Sequence, residues 1–219
     1  MFEAVIFDWD WTLADTKRFL ISSFQKALRE VGCNVSDRFI ERRIGSGAKN
    51  TLREALEASD IKPTDELIEK LLERKIEVQL SLTETVRLID GAMELLTSLY
   101  GKVRMALATM SNRPVIDRLL QEKGVGKFFD VVITVDEVNR PKPDPEIFLK
   151  CAEKMNVPPA KCVVVEDSIF GVEAARRAGM KCIAIPSGAY SIDELRERKP
   201  DLIVDSLKEK EKILNFILG

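Results

Sequence analysis

The stretch Ala4-Val5-Ile6-Phe7-Asp8-Trp9-Asp10-Trp11-Thr12 decides the fold. Its first four residues form an apolar run without polar alternation, the pattern of a strand buried on both faces of a sheet. Two carboxylates, Asp8 and Asp10, stand where the run ends. Like charges held this close cost free energy unless a cation offsets them, so packing does not explain the pair. For an isolated pair, a solvated loop with two surface acids is the plain alternative, and the rest of the chain has to decide.

Downstream of Thr12 the periodicity turns helical. Phe19, Ile21, Phe24, Ala27, Leu28 and Val31 recur at steps of about three and four, and Gly32 closes the run. Further helices are expected at about 37–44, 48–59 and 64–80, and no strand interrupts residues 15 to 86. From Asp90-Gly91 onward helices and short apolar runs alternate: strands at Val103–Ala108, Val131–Val135, Cys162–Val165, Cys182–Ile185 and Leu202–Val204, each adjoining a helix. That alternation argues an α/β fold, a doubly wound, Rossmann-like parallel sheet covered on both faces. The first strand belongs to the same sheet. Residues 1–14 and 87–219 are therefore expected to form the core domain, with 15–86 inserted after the first strand as a helical cap domain.

Composition narrows the function. In 219 residues, 34 basic and 36 acidic side chains leave a formal charge of −2, so no nucleic-acid footprint is present at the whole-chain level. Apolar runs stay far short of the ~20 residues of a membrane helix. Met1-Phe2-Glu3 lacks the basic region of a signal peptide, which leads us to expect a cytoplasmic protein. Cys33, Cys151, Cys162 and Cys182 have no metal-like spacing and are expected to be reduced, mostly buried thiols. There is no histidine, which removes serine–histidine triads and histidine zinc sites together. Acid–base work near neutral pH falls to carboxylates or lysine.

In an open parallel sheet, ligands sit beyond the carboxyl ends of the strands. Four polar clusters follow the apolar runs: Asp8 and Asp10, then Thr109-Met110-Ser111-Asn112, then Lys142, then Glu166-Asp167-Ser168. Asp8, Asp10, Glu166 and Asp167 suit a hard divalent cation such as Mg²⁺. Thr109, Ser111 and Asn112 offer donors at a strand-to-helix turn, and Lys142 supplies positive charge. A carboxylate approaching one unit of phosphate charge at ~4 Å is repelled by roughly 4 kcal/mol at an effective dielectric near 20. That is roughly 10³-fold in rate, and a cation with Lys142 would reverse the field.

These residues, in this order, resemble the haloacid-dehalogenase-like hydrolase superfamily, over essentially the whole chain. Asp8-x-Asp10-x-Thr12 looks like its first motif, Thr109 its second, Lys142 its third and Glu166-Asp167 its fourth. The insert resembles the C1-type cap. The stretches Lys142-Pro143-Asp144-Pro145-Glu146-Ile147-Phe148 and Glu166-Asp167-Ser168-Ile169-Phe170-Gly171-Val172 look like the branch holding beta-phosphoglucomutase and small sugar-phosphate or phosphoglycolate phosphatases. The resemblance implies that Asp8 attacks phosphorus to form an aspartyl-phosphate and that Asp10 is the acid–base. It implies that Asp8, the backbone carbonyl of Asp10 and Asp167 hold Mg²⁺, with Glu166 as ligand or support. Thr109 and Lys142 would bind the transferring group, with a small phosphorylated metabolite as substrate. A monomer or weak homodimer is expected.

Two departures stand out. Trp11 occupies a place where the family usually has glycine, so its indole is expected to point outward, either packing between cap and core or gating the substrate entrance. Leu20 stands where beta-phosphoglucomutase carries a histidine in the first cap helix. Hydrolysis is the default fate of an aspartyl-phosphate, which favours a phosphatase over the alternative of a phosphomutase. A non-catalytic phosphometabolite-binding protein is the other alternative, although a sensor needs no nucleophile. Asp15 is expected to cap the first helix. Gly45-Ser46-Gly47-Ala48-Lys49-Asn50 opens a cap helix where Lys49 is a candidate for a second anionic group of the substrate. Arg113 is expected either to steer substrate or to cap a helix, and the charged face of 65–77 to be solvated.

Overall fold

The computed structural model describes all 219 residues. The chain begins with β1 (Ala4–Phe7) and a short β2 (Ala14–Asp15), then α1 (Lys17–Arg29), α2 (Asp37–Glu41), α3 (Ala48–Ala58) and α4 (Asp65–Leu80), and a return strand β3 (Arg87–Leu88). Alternation follows: α5 (Ala92–Leu99), β4 (Arg104–Ala108), α6 (Arg113–Lys123), β5 (Val131–Ile133), α7 (Glu146–Met155) and β6 (Cys162–Glu166). The chain ends with α8 (Ile169–Arg177), β7 (Lys181–Ala184), α9 (Ile192–Glu197), β8 (Leu202–Ile203) and α10 (Lys210–Leu218).

The main sheet has the order β5-β4-β1-β6-β7-β8, with every pairing parallel. The opening apolar run is thus an interior strand, flanked by β4 and β6. Side chains alternate between faces along each strand. Val5, Phe7, Met105, Leu107, Val163 and Val165 fill one core layer, under α5, α6 and α10. Ile6, Ala106, Ala108, Cys162 and Val164 fill the other, under α7 and α8. Both layers exclude water, which is why β1 has no polar position.

The cap elements α1–α4 share a separate core that includes Phe24, Leu28, Ile40, Leu52, Leu56, Ile68 and Leu71. Thr64 caps α4 by accepting from the Leu67 amide at 3.2 Å. The antiparallel pair β2–β3 joins the cap to the core. This pairing corrects the expected role of Asp15: it lies opposite Arg87 in β2, and Thr16 holds the N-cap position of α1. Asp15 Oδ1 reaches only the Lys17 amide, at 3.4 Å. Helix α9 was not anticipated from the sequence. All four cysteines are free and buried. No helix is long and apolar enough to cross a membrane.

Candidate active site

The register sets Phe7 beside both Leu107 and Val165, so the residues after β1, β4 and β6 emerge side by side. Lys142 enters from the loop after β5 and is fully buried. Its ammonium donates to Asp8 Oδ1 at 2.7 Å, Glu166 Oε1 at 2.6 Å and the Ala108 carbonyl at 3.1 Å. Burial alone would lower the Lys142 pKa, but the charges of Asp8 and Glu166 win and raise it. The lysine therefore stays charged through the physiological range.

Asp8, Glu166 and Asp167 bring carboxylate oxygens within 4.8 Å of one another, all buried. Glu166 Oε2 accepts from the Asp167 amide, the Ser168 amide and the Ser168 hydroxyl at 2.9–3.0 Å. With its other oxygen on Lys142, Glu166 acts chiefly as the post on which the cluster is built. Gly171 must be glycine here, because a Cβ would come within 1.8 Å of the Glu166 carboxyl. Asp167 Oδ1 accepts from the Thr12 hydroxyl at 3.2 Å. Burial raises the Asp8 pKa well above the carboxylate range; Lys142 opposes this, and Glu166 and Asp10 add to it. Asp167 is raised by burial, then by Glu166 and Asp8. One lysine does not neutralise three carboxylates, and a hard, all-oxygen donor set whose Asp8 and Asp167 carboxyls are raised by burial fits a small divalent cation.

Asp10 faces the other way. Its Oδ2 accepts from Ser111 Oγ at 2.7 Å and weakly from Thr109 Oγ1 at 3.5 Å. Its Oδ1 is buried with no protein partner. Burial raises the Asp10 pKa, with the Ser111 hydrogen bond and the nearby Thr16 hydroxyl partly countering it. A carboxyl anchored through one oxygen and inclined to carry a proton is equipped to give a proton and take one back.

The remaining sequence candidates take other partners. Lys49 is exposed and paired with Glu69 across α3 and α4. Asn112 donates to Asp136 Oδ1 at 2.9 Å. Arg113 is spent on the Val132 carbonyl and on Glu137. Trp11 does not point outward: it is 4% exposed, its backbone is left-handed at φ 61°, and its ring lies against Gly188. Only glycine adopts that φ freely, which accounts for the family's usual residue.

Lys75 was missed. The charged face of 65–77 reads as solvated, yet Lys75 is 2% exposed and shares a cavity with Asp10, Leu20, Phe24, Arg43 and Ser111. The signal was available: Lys75 continues the buried stripe Ile68, Leu71, Leu72 on α4. Its ammonium has no hydrogen-bond partner and sits 5.3 Å from the Phe24 ring centre. Burial lowers its pKa from 10.5 to about 8, against the pull of Asp10 and Asp136. A depressed lysine penalises the fold fully below pH 8, and the penalty fades as pH rises toward 10.5. Lys75→Met is therefore expected to raise the unfolding free energy at pH 7 by roughly 1–3 kcal/mol. Denaturant titrations at pH 7 and pH 10 check this. A gain that fails to shrink at pH 10 counts against the assignment.

Three comparisons bear on this geometry. The family model described as haloacid dehalogenase-like hydrolase matches residues 5–185. The chain is 35% identical to the phosphorylated carbohydrates phosphatase of Thermotoga maritima, covering 94% of this chain and 99% of that one. It is 33% identical to the fructose-1-phosphate phosphatase of Escherichia coli, over 84% and 96%. Among solved structures, a beta-phosphoglucomutase from Clostridium difficile superposes with a TM-score of 0.87 at 26% identity, covering 100% of both chains.

Proposed function

The chain belongs to the haloacid dehalogenase-like hydrolase family, and from that premise we propose a Mg²⁺-dependent phosphatase that acts on a small phosphorylated metabolite through an aspartyl-phosphate. The observation that carries this reading is the unequal pair at the end of β1. Asp8 joins the acidic cluster and Lys142, whereas Asp10 turns to Ser111 and keeps one oxygen free.

Asp8, Asp167 and the Asp10 carbonyl would hold Mg²⁺, supported by Glu166. When bound, the ion supplies charge that draws phosphate oxygens toward the carboxylates. Lys142 and Thr109 hold the transferring phosphoryl group. An Asp8 oxygen forms a bond to phosphorus as the ester P–O bond breaks, and Asp10 Oδ1 gives its proton to the departing oxygen. Asp10 then takes a proton from water as the water oxygen attacks phosphorus, which releases phosphate and restores Asp8. Residues 15–86 would move as the cap that admits substrate and then excludes bulk water. Lys75 would meet a hydroxyl or anionic group of the leaving portion.

The test is phosphate release from a panel of sugar phosphates, phosphoglycolate and nucleotides, with Mg²⁺ or with EDTA. Release from at least one small ester is expected with Mg²⁺ and is expected to vanish with EDTA. Absence of Mg²⁺-dependent release on every ester overturns the reading. Conversion of a sugar 1-phosphate to its 6-phosphate would instead assign a mutase.

A further inference from the structure

The cavity between Asp10 and Lys75 measures about 20 Å³. A water needs roughly 10–15 Å³ of such space, so the cavity is too small for a phosphate ester. Cap and core residues line this cavity together, so the cap lies against the core here. We propose that Arg42, Tyr190 and Glu194 form the latch that holds the cap shut, and that the loop Ser187–Tyr190 couples this latch to Asp167. The proposal rests on the reading of Asp167 as a metal ligand beneath a closing cap.

Arg42 ends α2 in the cap; Tyr190 and Glu194 belong to the core. The Arg42 guanidinium donates to the Ala189 carbonyl at 3.2 Å and to Glu194 Oε1 at 2.6 Å. It also lies 4.2 Å from the centre of the Tyr190 ring. In return, the Tyr190 hydroxyl donates to the Arg42 carbonyl at 2.6 Å. An exposed ion pair alone is worth little. Here one planar guanidinium meets a ring, a carbonyl and a carboxylate at once, while its own carbonyl is bound. Tyr190 is 4% exposed and is fixed edge-on by Phe170. Two close approaches extend the seam: a Cβ on Gly45 would lie 3.2 Å from Ser168 Oγ, and one on Gly47 would lie 3.3 Å from Pro141.

The same loop leans on the acidic cluster. Ser187 Oγ donates to the Trp11 carbonyl. Gly188 lies so near Asp167 that a Cβ would fall 1.8 Å from Oδ2. A loop pressed against Asp167 and Trp11 on one side and against Arg42 on the other has little freedom to shift at one end alone. If closure orders Asp167, then by reciprocity Mg²⁺ binding favours closure by the same factor.

The test uses two readouts that need no turnover. The native thiols are buried, so spin labels go on Glu57→Cys in α3 and Glu211→Cys in α10, both exposed, and report the cap–core distance. With Mg²⁺ and inorganic phosphate, Arg42→Met and Tyr190→Phe are expected to lower the closed-to-open ratio by about three- to tenfold. Trp9 and Trp11 are the only tryptophans, and both lie beside the site, so intrinsic fluorescence follows Mg²⁺ titration. The half-saturating Mg²⁺ concentration is expected to rise by a similar factor in both variants. An unchanged closed-to-open ratio in both variants overturns the latch. A cap that opens with no change in Mg²⁺ half-saturation overturns the coupling to Asp167. Tyr190→Phe preserves the buried ring and keeps the test valid if Arg42→Met folds poorly. Should no ester be hydrolysed, the distance and fluorescence results still judge the latch separately from the phosphatase reading.

Discussion

Asp8→Asn is expected to lower Mg²⁺-dependent phosphate release by on the order of 10⁴-fold or more, because it removes the carboxylate oxygen proposed to bond to phosphorus. The substitution keeps the shape of the side chain, so cap and sheet should be undisturbed. Stability should hold or rise. Burial and the neighbouring acids hold the Asp8 pKa above its ordinary range despite Lys142, so the ionised form is a net cost to the fold. A neutral amide is relieved of that cost. Steady-state kinetics and a denaturation curve on the same sample separate chemistry from folding. An Asp8→Asn variant with more than about a hundredth of wild-type turnover would be incompatible with a nucleophilic Asp8.

Lys142→Met carries the largest expected effect on stability. Lys142 is fully buried and bridges Asp8 and Glu166. Removing one partner from a buried ion-pair network costs about 3–5 kcal/mol, because the charges left behind are uncompensated. Two conditions should restore part of the loss. Mg²⁺ replaces the missing positive charge and stabilises by mass action. Acid does so as well: a carboxyl whose folded pKa is raised penalises the fold above that pKa, and the penalty lifts as pH falls toward its unfolded value. Denaturant titrations at pH 7 and pH 5, with and without Mg²⁺, measure both. A loss under about 1 kcal/mol, indifferent to Mg²⁺ and pH, would contradict the electrostatic account of the cluster.

The sheet and the chemistry of its edge were legible in the sequence because both rest on local signals. A buried parallel strand has to be apolar throughout, so β1, β4 and β6 announce themselves, and whatever polar residue follows each must lie on one edge. Asp8, Lys142, Glu166 and Asp167 were brought together on that logic. Single charged residues on helices were harder. Lys75 reads as surface by type, and only its place on the buried stripe of α4 shows otherwise. Lys49 reads as an anion site, and in the structure it is exposed and paired with Glu69. Asp15 reads as a cap until β3, more than seventy residues away, pairs with it. Helix α9 had a usable signal, the capping box Ser191-x-x-Glu194. Its second role, receiving Arg42 from across the cap seam, depends on tertiary contact alone. Trp11 was expected to point outward; instead it takes a left-handed backbone and its indole turns inward against Gly188.

The central claim is that Asp8 takes the phosphoryl group. Rapid quenching of wild-type enzyme in acid during turnover of an active ester, followed by peptide mass analysis, tests it most directly. The account predicts one phosphoryl group on the peptide carrying Asp8, absent from Asp8→Asn and absent without Mg²⁺. Steady phosphate release with no phosphorylated peptide at any quench time, or with the label on Asp10 instead, would contradict it.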